Sequence, residues 1–372
     1  MGLGISQTEL IQIQRKLSNL SSKDFELTID GKNTQLFTLK NKNGLNAVFS
    51  NYGQRIISLH VPDKQGNFDD IVLGFSSLPE YFDGPGKYFG AVIGRYGNRI
   101  AQGEFTLNGT THRLTKNKGG NHLHGGKNGF GSVVWDATQV SEGEIHFSGV
   151  SPDGEEGYPG NLFCEVTYKL NDTNELIIEY KAKTDKATPV NLTHHSYFNL
   201  KGAGNGTVDR HILHINANSF TPVDQHIIPT GSLESVQGTP FDFLEPKPIG
   251  RDIKTRNEQL EFGNGYDHNF VLDTSSKRDD DLIFAAKVVE PESGRTMEVY
   301  TNEPGIQFYS GNYLGIKGKK RKYYEDRGAF CLETQHFPDS PNNLNFPSTI
   351  LQPDEVYKST CIYRFGVLTE EV

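Results

Sequence analysis

The sequence predicts an all-β protein, folded as one large antiparallel β-sandwich with a short helix at its N-terminus. Among 372 residues, 40 glycines and 17 prolines interrupt the chain often, which disfavours a helix bundle. Between these interruptions, apolar and polar residues alternate over short runs, which is the period of a strand with one buried face. Because β-sandwiches of this size occur as single units, we expect residues 23–372 to form one domain.

The N-terminal segment differs from the rest, and we expect residues 1–22 to be a helical extension. Ser6 and Glu9 have the spacing of a capping box. Apolar residues then recur at steps of three and four from Leu10 to Leu20. This pattern predicts an amphipathic helix over about residues 7–20, packed on the outside of the sandwich.

The strands follow in order, each bounded by turn residues. Asn108 and Gly109 form the pair that favours a type I′ turn, so we expect a tight hairpin around them. One short helical turn is expected at residues 78–82. The other expected strands are residues 25–30, 34–40, 45–49, 162–170, 176–182, 282–290, 295–301 and 357–367, and the hairpin spans 104–115.

Charge and composition disfavour several classes of partner. Asp and Glu number 46 against 37 Lys and Arg, a net charge of −9, so we expect neither nucleic acid nor an anionic membrane surface. No run of about 18 apolar residues occurs that could span a membrane. Cys164, Cys331 and Cys361 are odd in number and far apart, so we expect buried free thiols. We expect a cytoplasmic protein with a small-molecule partner, and the oligomeric state stays open.

Four of the 12 histidines fall into two tight pairs, His122 with His124 and His194 with His195. A His-x-His pair on a strand puts two imidazoles on one face, which is one way to bind zinc. No cysteine lies nearby in the sequence and no carboxylate has motif spacing, so we expect no metal. Glycines on both sides of the first pair leave the backbone room, which suggests close approach to a ligand.

Glu333 is a lone carboxylate in the otherwise apolar run 330–335. Alternation does not decide which way its side chain points. If it faces a pocket, burial would raise its pKa and make it a proton acceptor near neutral pH. A histidine acid and a glutamate base would suit proton transfer on a neutral polar substrate.

Several segments together carry a family resemblance, and in their order and spacing they resemble the motifs of the aldose 1-epimerases, or galactose mutarotases. The resemblance runs from about residue 24 to the C-terminus. The segments are 94–100 (Gly-Arg-Tyr-Gly-Asn-Arg-Ile), 121–126 (Asn-His-Leu-His-Gly-Gly), 191–200 (Asn-Leu-Thr-His-His-Ser-Tyr-Phe-Asn-Leu), 265–270 (Gly-Tyr-Asp-His-Asn-Phe), 304–309 (Pro-Gly-Ile-Gln-Phe-Tyr) and 331–335 (Cys-Leu-Glu-Thr-Gln).

The resemblance implies a mutarotase-like supersandwich that interconverts the α and β anomers of free hexoses, galactose and glucose, without a cofactor. The ring would open by acid–base catalysis, rotate about C1–C2 and reclose. Glu333 matches the general base that takes the C1 hydroxyl proton, and His195 the general acid that protonates the ring oxygen. His124 matches a second active-site histidine. Four further positions match residues that bind sugar hydroxyls: Asn98, Arg99, Asp267 and Gln307.

The chain departs from the family pattern at His194, where asparagine is most often found, and at Gly131, where aspartate is frequent. Two other functions stay open. A hexose-6-phosphate 1-epimerase would need a phosphate-binding basic cluster, for which the run 317–322 is the candidate. A non-catalytic β-sandwich sugar-binding module would not need both Glu333 and His195.

The proposed chemistry also predicts an ionisation pattern. Base and acid are needed together, so we expect a nearby carboxylate, Asp267 or Glu333, to raise the pKa of His195. A charged His194 would oppose that shift. The acidic limb of a bell-shaped pH profile would then report Glu333, and the basic limb His195.

Overall fold

The structure is a computed structural model that describes residues 20–275, 277–278 and 280–368. Strands dominate this part of the chain, so the all-β prediction is confirmed. The helix predicted over residues 7–20 lies outside the described residues except for Leu20. One domain over residues 23–372 stays a prediction.

The strands are numbered in chain order. The first fifteen are β1 (Thr28–Ile29), β2 (Lys32–Asn33), β3 (Leu36–Lys40), β4 (Asn46–Ser50), β5 (Arg55–Pro62), β6 (Phe68–Asp70), β7 (Ala91–Ile93), β8 (Arg99–Ile100), β9 (Glu104–Leu107), β10 (Thr110–Arg113), β11 (His122–Leu123), β12 (Asp136–Ser141), β13 (Glu144–Ser151), β14 (Leu162–Leu170) and β15 (Glu175–Thr184). The second fifteen are β16 (Thr188–Pro189), β17 (Thr193–His195), β18 (Ile212–Ile215), β19 (Ser219–Phe220), β20 (Glu234–Ser235), β21 (Lys247–Pro248), β22 (Asp267–Val271), β23 (Ile283–Val289), β24 (Arg295–Thr301), β25 (Gly305–Tyr309), β26 (Ile316–Lys317), β27 (Tyr323–Tyr324), β28 (Cys331–Gln335), β29 (Ile350–Leu351) and β30 (Tyr357–Val367).

Helices are short in the described residues. The α-helix α1 spans Glu258–Gly263 and begins at Asn257, whose side chain accepts the backbone N–H groups of Gln259 and Leu260. Short 3₁₀ helices occupy Ser22–Phe25, Leu78–Tyr81, Ala101–Gly103, Phe130–Ser132, Glu155–Gly157, Lys319–Arg321 and Ser340–Asn342.

Three sheets make up the body, and their strand pairs are antiparallel. The nine-stranded sheet has the order β12-β13-β14-β15-β30-β24-β23-β18-β21. The five-stranded sheet has the order β20-β19-β22-β25-β28, and the four-stranded sheet β3-β4-β5-β6. Smaller two-stranded ribbons, among them β7–β17 and β8–β11, lie beside these sheets.

The nine-stranded and five-stranded sheets bury a shared core. In β14 and β15 every second side chain is buried, as the alternation in the sequence predicts. Those side chains meet residues of β22, β25 and β28 in one hydrophobic cluster, which includes Phe270, Phe308 and Leu332. A hydrogen bond of 2.9 Å from the Tyr363 hydroxyl on β30 to the Leu332 carbonyl joins the two sheets directly. The predicted sandwich is confirmed.

Local predictions hold best where a turn fixes the geometry. Asn108 and Gly109 have φ of 51° and 76°, as a type I′ turn requires, and β9 pairs with β10 around them. The closing strand lies at Tyr357–Val367, as expected. The strand predicted at 25–30 is wrong at its start, because Phe25 ends a 3₁₀ turn and its carbonyl accepts the Thr34 hydroxyl at 2.7 Å.

The three cysteines are buried and free, as predicted. Among the helices of the described chain, none is both long and apolar enough to cross a membrane.

Arg55 is fully buried and fixes the position of a loop beside the candidate site. Its guanidinium donates to the backbone carbonyls of Lys87 and Phe89, which flank Tyr88, and to that of Gly131. Burial lowers its pKa to about 10, so the group stays charged at neutral pH. A buried cation satisfied by carbonyls therefore holds Tyr88 in place.

The glycine after His124 makes a close backbone contact. Gly125 has φ of 79°, and a Cβ there would lie 1.8 Å from the Gly94 carbonyl oxygen. The close neighbour of Gly125 is therefore the protein's own backbone, and the expected approach of a ligand to the glycines around His124 stays a prediction.

We expect Gly125→Ala to lower the free energy of unfolding more than Gly120→Ala does, by at least about 1 kcal/mol. Both glycines have positive φ, 79° and 83°, which costs a non-glycine residue roughly 1–3 kcal/mol. Only Gly125 has backbone atoms in the way, since nothing lies within 4 Å of a Cβ at Gly120. Urea unfolding measures both losses, and equal losses would show that the contact with Gly94 is unimportant.

Candidate active site

A cavity of about 460 Å³ opens beside the five-stranded sheet. All seven residues singled out from the sequence line it: Asn98, Arg99, His124, His195, Asp267, Gln307 and Glu333. The structure therefore brings together side chains from β8, β17, β22, β25, β28 and the loop after β11.

Strand register places three of these side chains next to each other. Gln307 on β25 lies directly opposite Glu333 on β28, and Asn269 on β22 lies opposite Gln307. Asp267, two residues before Asn269, shares that face because side chains alternate along a strand. The Gln307 Nε2 donates to the Asp267 Oδ1 at 2.7 Å. The sheet thus presents a carboxylate, an amide and a second carboxylate on one face.

His195 approaches this face from the ribbon of β7 and β17. It pairs with Ala91 on β7, and its Nε2 lies 3.6 Å from the Glu333 Oε1. His195 is 4% exposed and Glu333 is 2% exposed, so both side chains are largely shielded from bulk solvent. The Tyr197 ring lies nearly parallel to the imidazole at 4.9 Å, and the Tyr88 ring at 6.0 Å. These rings fix the plane of the imidazole.

His124 and its sequence partner have different roles. The His124 Nδ1 accepts the Asn98 backbone N–H at 3.1 Å, so the neutral ring carries its proton on Nε2. Burial, then the neighbouring His195 and Arg99, hold the pKa of His124 well below its usual value. His124 is therefore a neutral donor. His122 faces away from the cavity, where its ring nitrogens contact the Thr115 carbonyl and the Tyr158 hydroxyl.

The second pair divides in the same way. The His194 Nε2 lies 2.7 Å from the Ser196 hydroxyl and its Nδ1 3.2 Å from the Tyr168 hydroxyl, both in the core. Burial lowers the pKa of His194 to about 3. A neutral His194 carries no positive charge that could lower the pKa of His195, so the opposition expected from a charged His194 does not arise.

Arg99 and Asn98 form a polar wall of the cavity. The Asn98 Oδ1 accepts the Arg99 backbone N–H at 2.9 Å, and one Arg99 Nη lies 3.7 Å from the Asp267 Oδ2. Both charged side chains keep partial exposure, 12% for Arg99 and 18% for Asp267. The guanidinium is thus held in place by its neighbours while it still faces the cavity.

Burial sets the ionisation of the central pair. It raises the pKa of Glu333 well above its ordinary value, the negative charge of Asp267 adds to this, and Arg99 opposes it. Burial also lowers the pKa of His195 to about 3. The expected upward shift of the His195 pKa is wrong, because burial penalises the imidazolium, and burial also raises the pKa of the nearby Glu333 carboxyl.

Several buried polar atoms of the cavity have no hydrogen-bond partner in the described chain. They are the Glu333 Oε2, the His195 Nδ1 and the Gln307 Oε1. Leaving such groups unpaired is costly, so they favour a ligand that brings its own polar groups. Donors and acceptors around a neutral pair suit a compact polyhydroxylated molecule.

The sequence reasoning missed the tyrosines of the cavity. Tyr197 and Tyr309 lie inside the quoted motifs, so they could have been found there. Tyr88 and Tyr313 carry no local signal, since each reaches the cavity from a loop. Exposed residues at the rim of the cavity, including Lys118, are likewise not marked by any local sequence pattern.

Comparison with known proteins agrees with this geometry. The family model for aldose 1-epimerase matches residues 35–364. The galactose mutarotase of Sus scrofa is 48% identical over 319 residues, covering 85% of this chain and 90% of that protein. The human galactose mutarotase is 46% identical over the same shares of the two chains. The aldose 1-epimerase of Escherichia coli K12 is 38% identical, covering 91% of this chain and 97% of that protein.

Solved structures give the same result. An aldose epimerase homologue from C. elegans superposes with a TM-score of 0.83 at 32% identity, covering 90% of this chain and all of that one. The galactose 1-epimerase of Lactobacillus acidophilus superposes with a TM-score of 0.80 at 28% identity, covering 91% and 96%. The chain is therefore an isomerase that belongs to the aldose 1-epimerase family.

Proposed function

We propose that this chain interconverts the α and β anomers of free aldohexoses, galactose among them, with Glu333 and His195 as the proton-transfer pair. The observation that carries the proposal is the 3.6 Å approach of these two buried groups in a cavity lined by polar side chains, among them Arg99, Asp267 and Gln307. Relatives named galactose mutarotase, at 46–48% identity, support the substrate class.

In the proposed reaction, Glu333 takes the proton of the C1 hydroxyl while His195 gives a proton to the ring oxygen. The C1–O5 bond breaks, and C1 with its exocyclic oxygen becomes an aldehyde group. After rotation about C1–C2, the other face of the aldehyde receives O5, and the two protons return. Each group ends with the proton it began with, so nothing else is consumed.

The remaining residues bind and orient the sugar. Asp267 and Gln307 are joined by a hydrogen bond and offer further oxygen and nitrogen atoms to hydroxyls. Arg99 supplies a fixed positive charge beside them, and Asn98 shapes that wall. His124, as a neutral donor, hydrogen-bonds near the ring oxygen and C1.

Sugar binding should change where the proton shared by Glu333 and His195 lies. Burial favours the uncharged form, a carboxylic acid and a neutral imidazole. The ionic form used in the first step holds the same number of protons and differs only in where the proton lies. Hydroxyl groups of the sugar that donate to Glu333 stabilise that ionic form, so binding prepares the pair for proton transfer.

The 6-phosphate alternative lacks support from the geometry. The basic run 317–322 does not line the cavity. Lys319 within it is buried, and its Nζ bonds Asp70 at 2.5 Å and two backbone carbonyls. Among described cavity residues, Arg99 and Lys118 carry the positive charges, and Arg99 already faces Asp267. A non-catalytic sugar-binding module would not need two titratable groups, Glu333 and His195, held 3.6 Å apart.

We expect Glu333→Gln and His195→Asn each to lower kcat by about 10²–10⁴-fold or more, the usual contribution of an acid or base. Glutamine keeps the shape of the side chain but cannot accept the proton, so galactose should still bind. Saturation-transfer NMR measures anomer exchange, and calorimetry measures binding. The matched control is His194→Asn, which changes the neighbouring buried histidine outside the cavity and should retain activity. Full exchange in Glu333→Gln would rule out Glu333 as the base.

The pH dependence of kcat/KM should be bell-shaped, with the limbs assigned opposite to the expectation from sequence. The active pair holds one proton. At low pH, His195 also gains a proton near its pKa of about 3, and no base remains. At high pH, Glu333 loses its proton at its raised pKa, and no acid remains. Histidine NMR should show a neutral His195 at about pH 6, below the ordinary histidine pKa. An imidazolium signal at that pH, absent from His195→Asn, would contradict this assignment.

Arg99→Lys should lower kcat/KM by about 5–150-fold, equivalent to roughly 1–3 kcal/mol. An ammonium cannot reproduce the planar, multiply donating guanidinium beside Asp267. Steady-state kinetics on galactose measures the loss, and Arg113→Lys on the exposed strand β10 is the control. Parent-like kinetics in Arg99→Lys would remove Arg99 from the binding site.

A further inference from the structure

Cys331 lies beside the proton-transfer pair. It precedes Glu333 by two residues on β28, so both side chains leave the same face of the strand. His195 reaches that face from β17. One nitrogen, one sulfur and one oxygen of these three residues all lie within 4.8 Å of one another. Sequence spacing hid this group, because His195 and Cys331 are brought together only by the packing of β17 on β28.

The spacing is close to that of a zinc site. Zinc bonds of about 2.0–2.3 Å place tetrahedral ligand atoms roughly 3.3–3.8 Å apart. The His195 Nε2 and the Glu333 Oε1 are already 3.6 Å apart. The Cys331 sulfur lies within 4.8 Å of both atoms, so side-chain movements of about 1 Å would bring it to the spacing of zinc ligands. Cys331 is fully buried, but His195 and Glu333 line the cavity, which would leave a fourth ligand position to a water molecule from that side.

The donor set also matches the ion. An imidazole, a thiolate and a carboxylate suit a borderline-soft divalent cation such as Zn²⁺. The two anionic ligands would neutralise its charge in a buried place. The Glu333 Oε2 has no partner in the described chain, so a cation would also satisfy it.

We propose that His195, Cys331 and Glu333 form an inhibitory site for Zn²⁺ or a similar divalent cation. Binding displaces the thiol proton of Cys331 and the proton shared by His195 and Glu333, which pass to solvent, and no oxidation state changes. The bound ion occupies both the acid and the base, so it competes with sugar. The inhibition rests on the proposed epimerase function, whereas the binding does not.

The binding test uses the full chain, freed of metal with a chelator, and Co²⁺ as a spectroscopic substitute for zinc. We expect a thiolate-to-cobalt charge-transfer band in the near ultraviolet, which Zn²⁺ removes and galactose weakens. Cys331→Ser should lose the band. Cys164→Ser, which changes another buried free cysteine far along the chain on β14, should keep it. Absence of the band in the parent chain, or its loss in Cys164→Ser, overturns the proposal.

The inhibition test measures anomer exchange against Zn²⁺ concentration, each variant relative to its own metal-free rate. The concentration for half inhibition should rise at least about tenfold in Cys331→Ser and stay unchanged in Cys164→Ser. Equal inhibition of Cys331→Ser and the parent overturns the site. If Cys331→Ser does not fold, the cobalt spectrum of the parent decides. A metal-free parent without exchange activity would refute the proposed function instead, and the cobalt spectrum would still judge the binding.

Discussion

The register of β28 on β25 and of β25 on β22 is the constraint on which the site depends. It sets Gln307 opposite Glu333 and brings Asp267 within hydrogen-bonding distance of Gln307. A slip of one residue would turn these side chains into the core and expose its apolar residues to the cavity. The aromatic core beneath, with Phe270 and Phe308 on the opposite face, therefore secures the chemistry as well as the fold.

Burial is the second determinant, and it acts on both members of the proposed proton-transfer pair. Removing water raises the pKa of a carboxyl and lowers that of an imidazole, so Glu333 and His195 are driven toward their uncharged forms. An ion pair in this place would be expensive to maintain in the free enzyme. A neutral pair avoids that cost, and in the proposed mechanism it becomes ionic as a sugar supplies hydrogen bonds.

One wall of the cavity depends on a buried cation, Arg55, that does not itself line the cavity. Arg55 is buried below the site and binds the carbonyls on both sides of Tyr88, while Tyr88 lies against the rings of His195 and His124. Lys319 is buried in a similar way outside the cavity, since its ammonium donates to Asp70 and to backbone carbonyls. Lys319 is thus bonded to the backbone and to Asp70, and the basic run around it does not line the cavity.

The sequence by itself predicted the all-β class, the hairpin at Asn108 and long strands such as residues 162–170, because alternation and turn chemistry are local. The seven predicted cavity residues were identified through the resemblance of several motifs to one family, whereas local pattern singled out only the histidine pairs and Glu333. Local pattern could not decide which histidine of each pair enters the cavity. The family resemblance named His124 and His195, and the tertiary structure supplies the physical reason, since His122 and His194 contact Tyr158 and Tyr168 far along the chain. Only the tertiary structure decided the direction of Glu333, because β28 is buried on both faces and shows no alternation. The direction of the His195 pKa shift and the closeness of Cys331 have the same origin: both arise from packing between strands that are distant in sequence, and no local pattern records that contact.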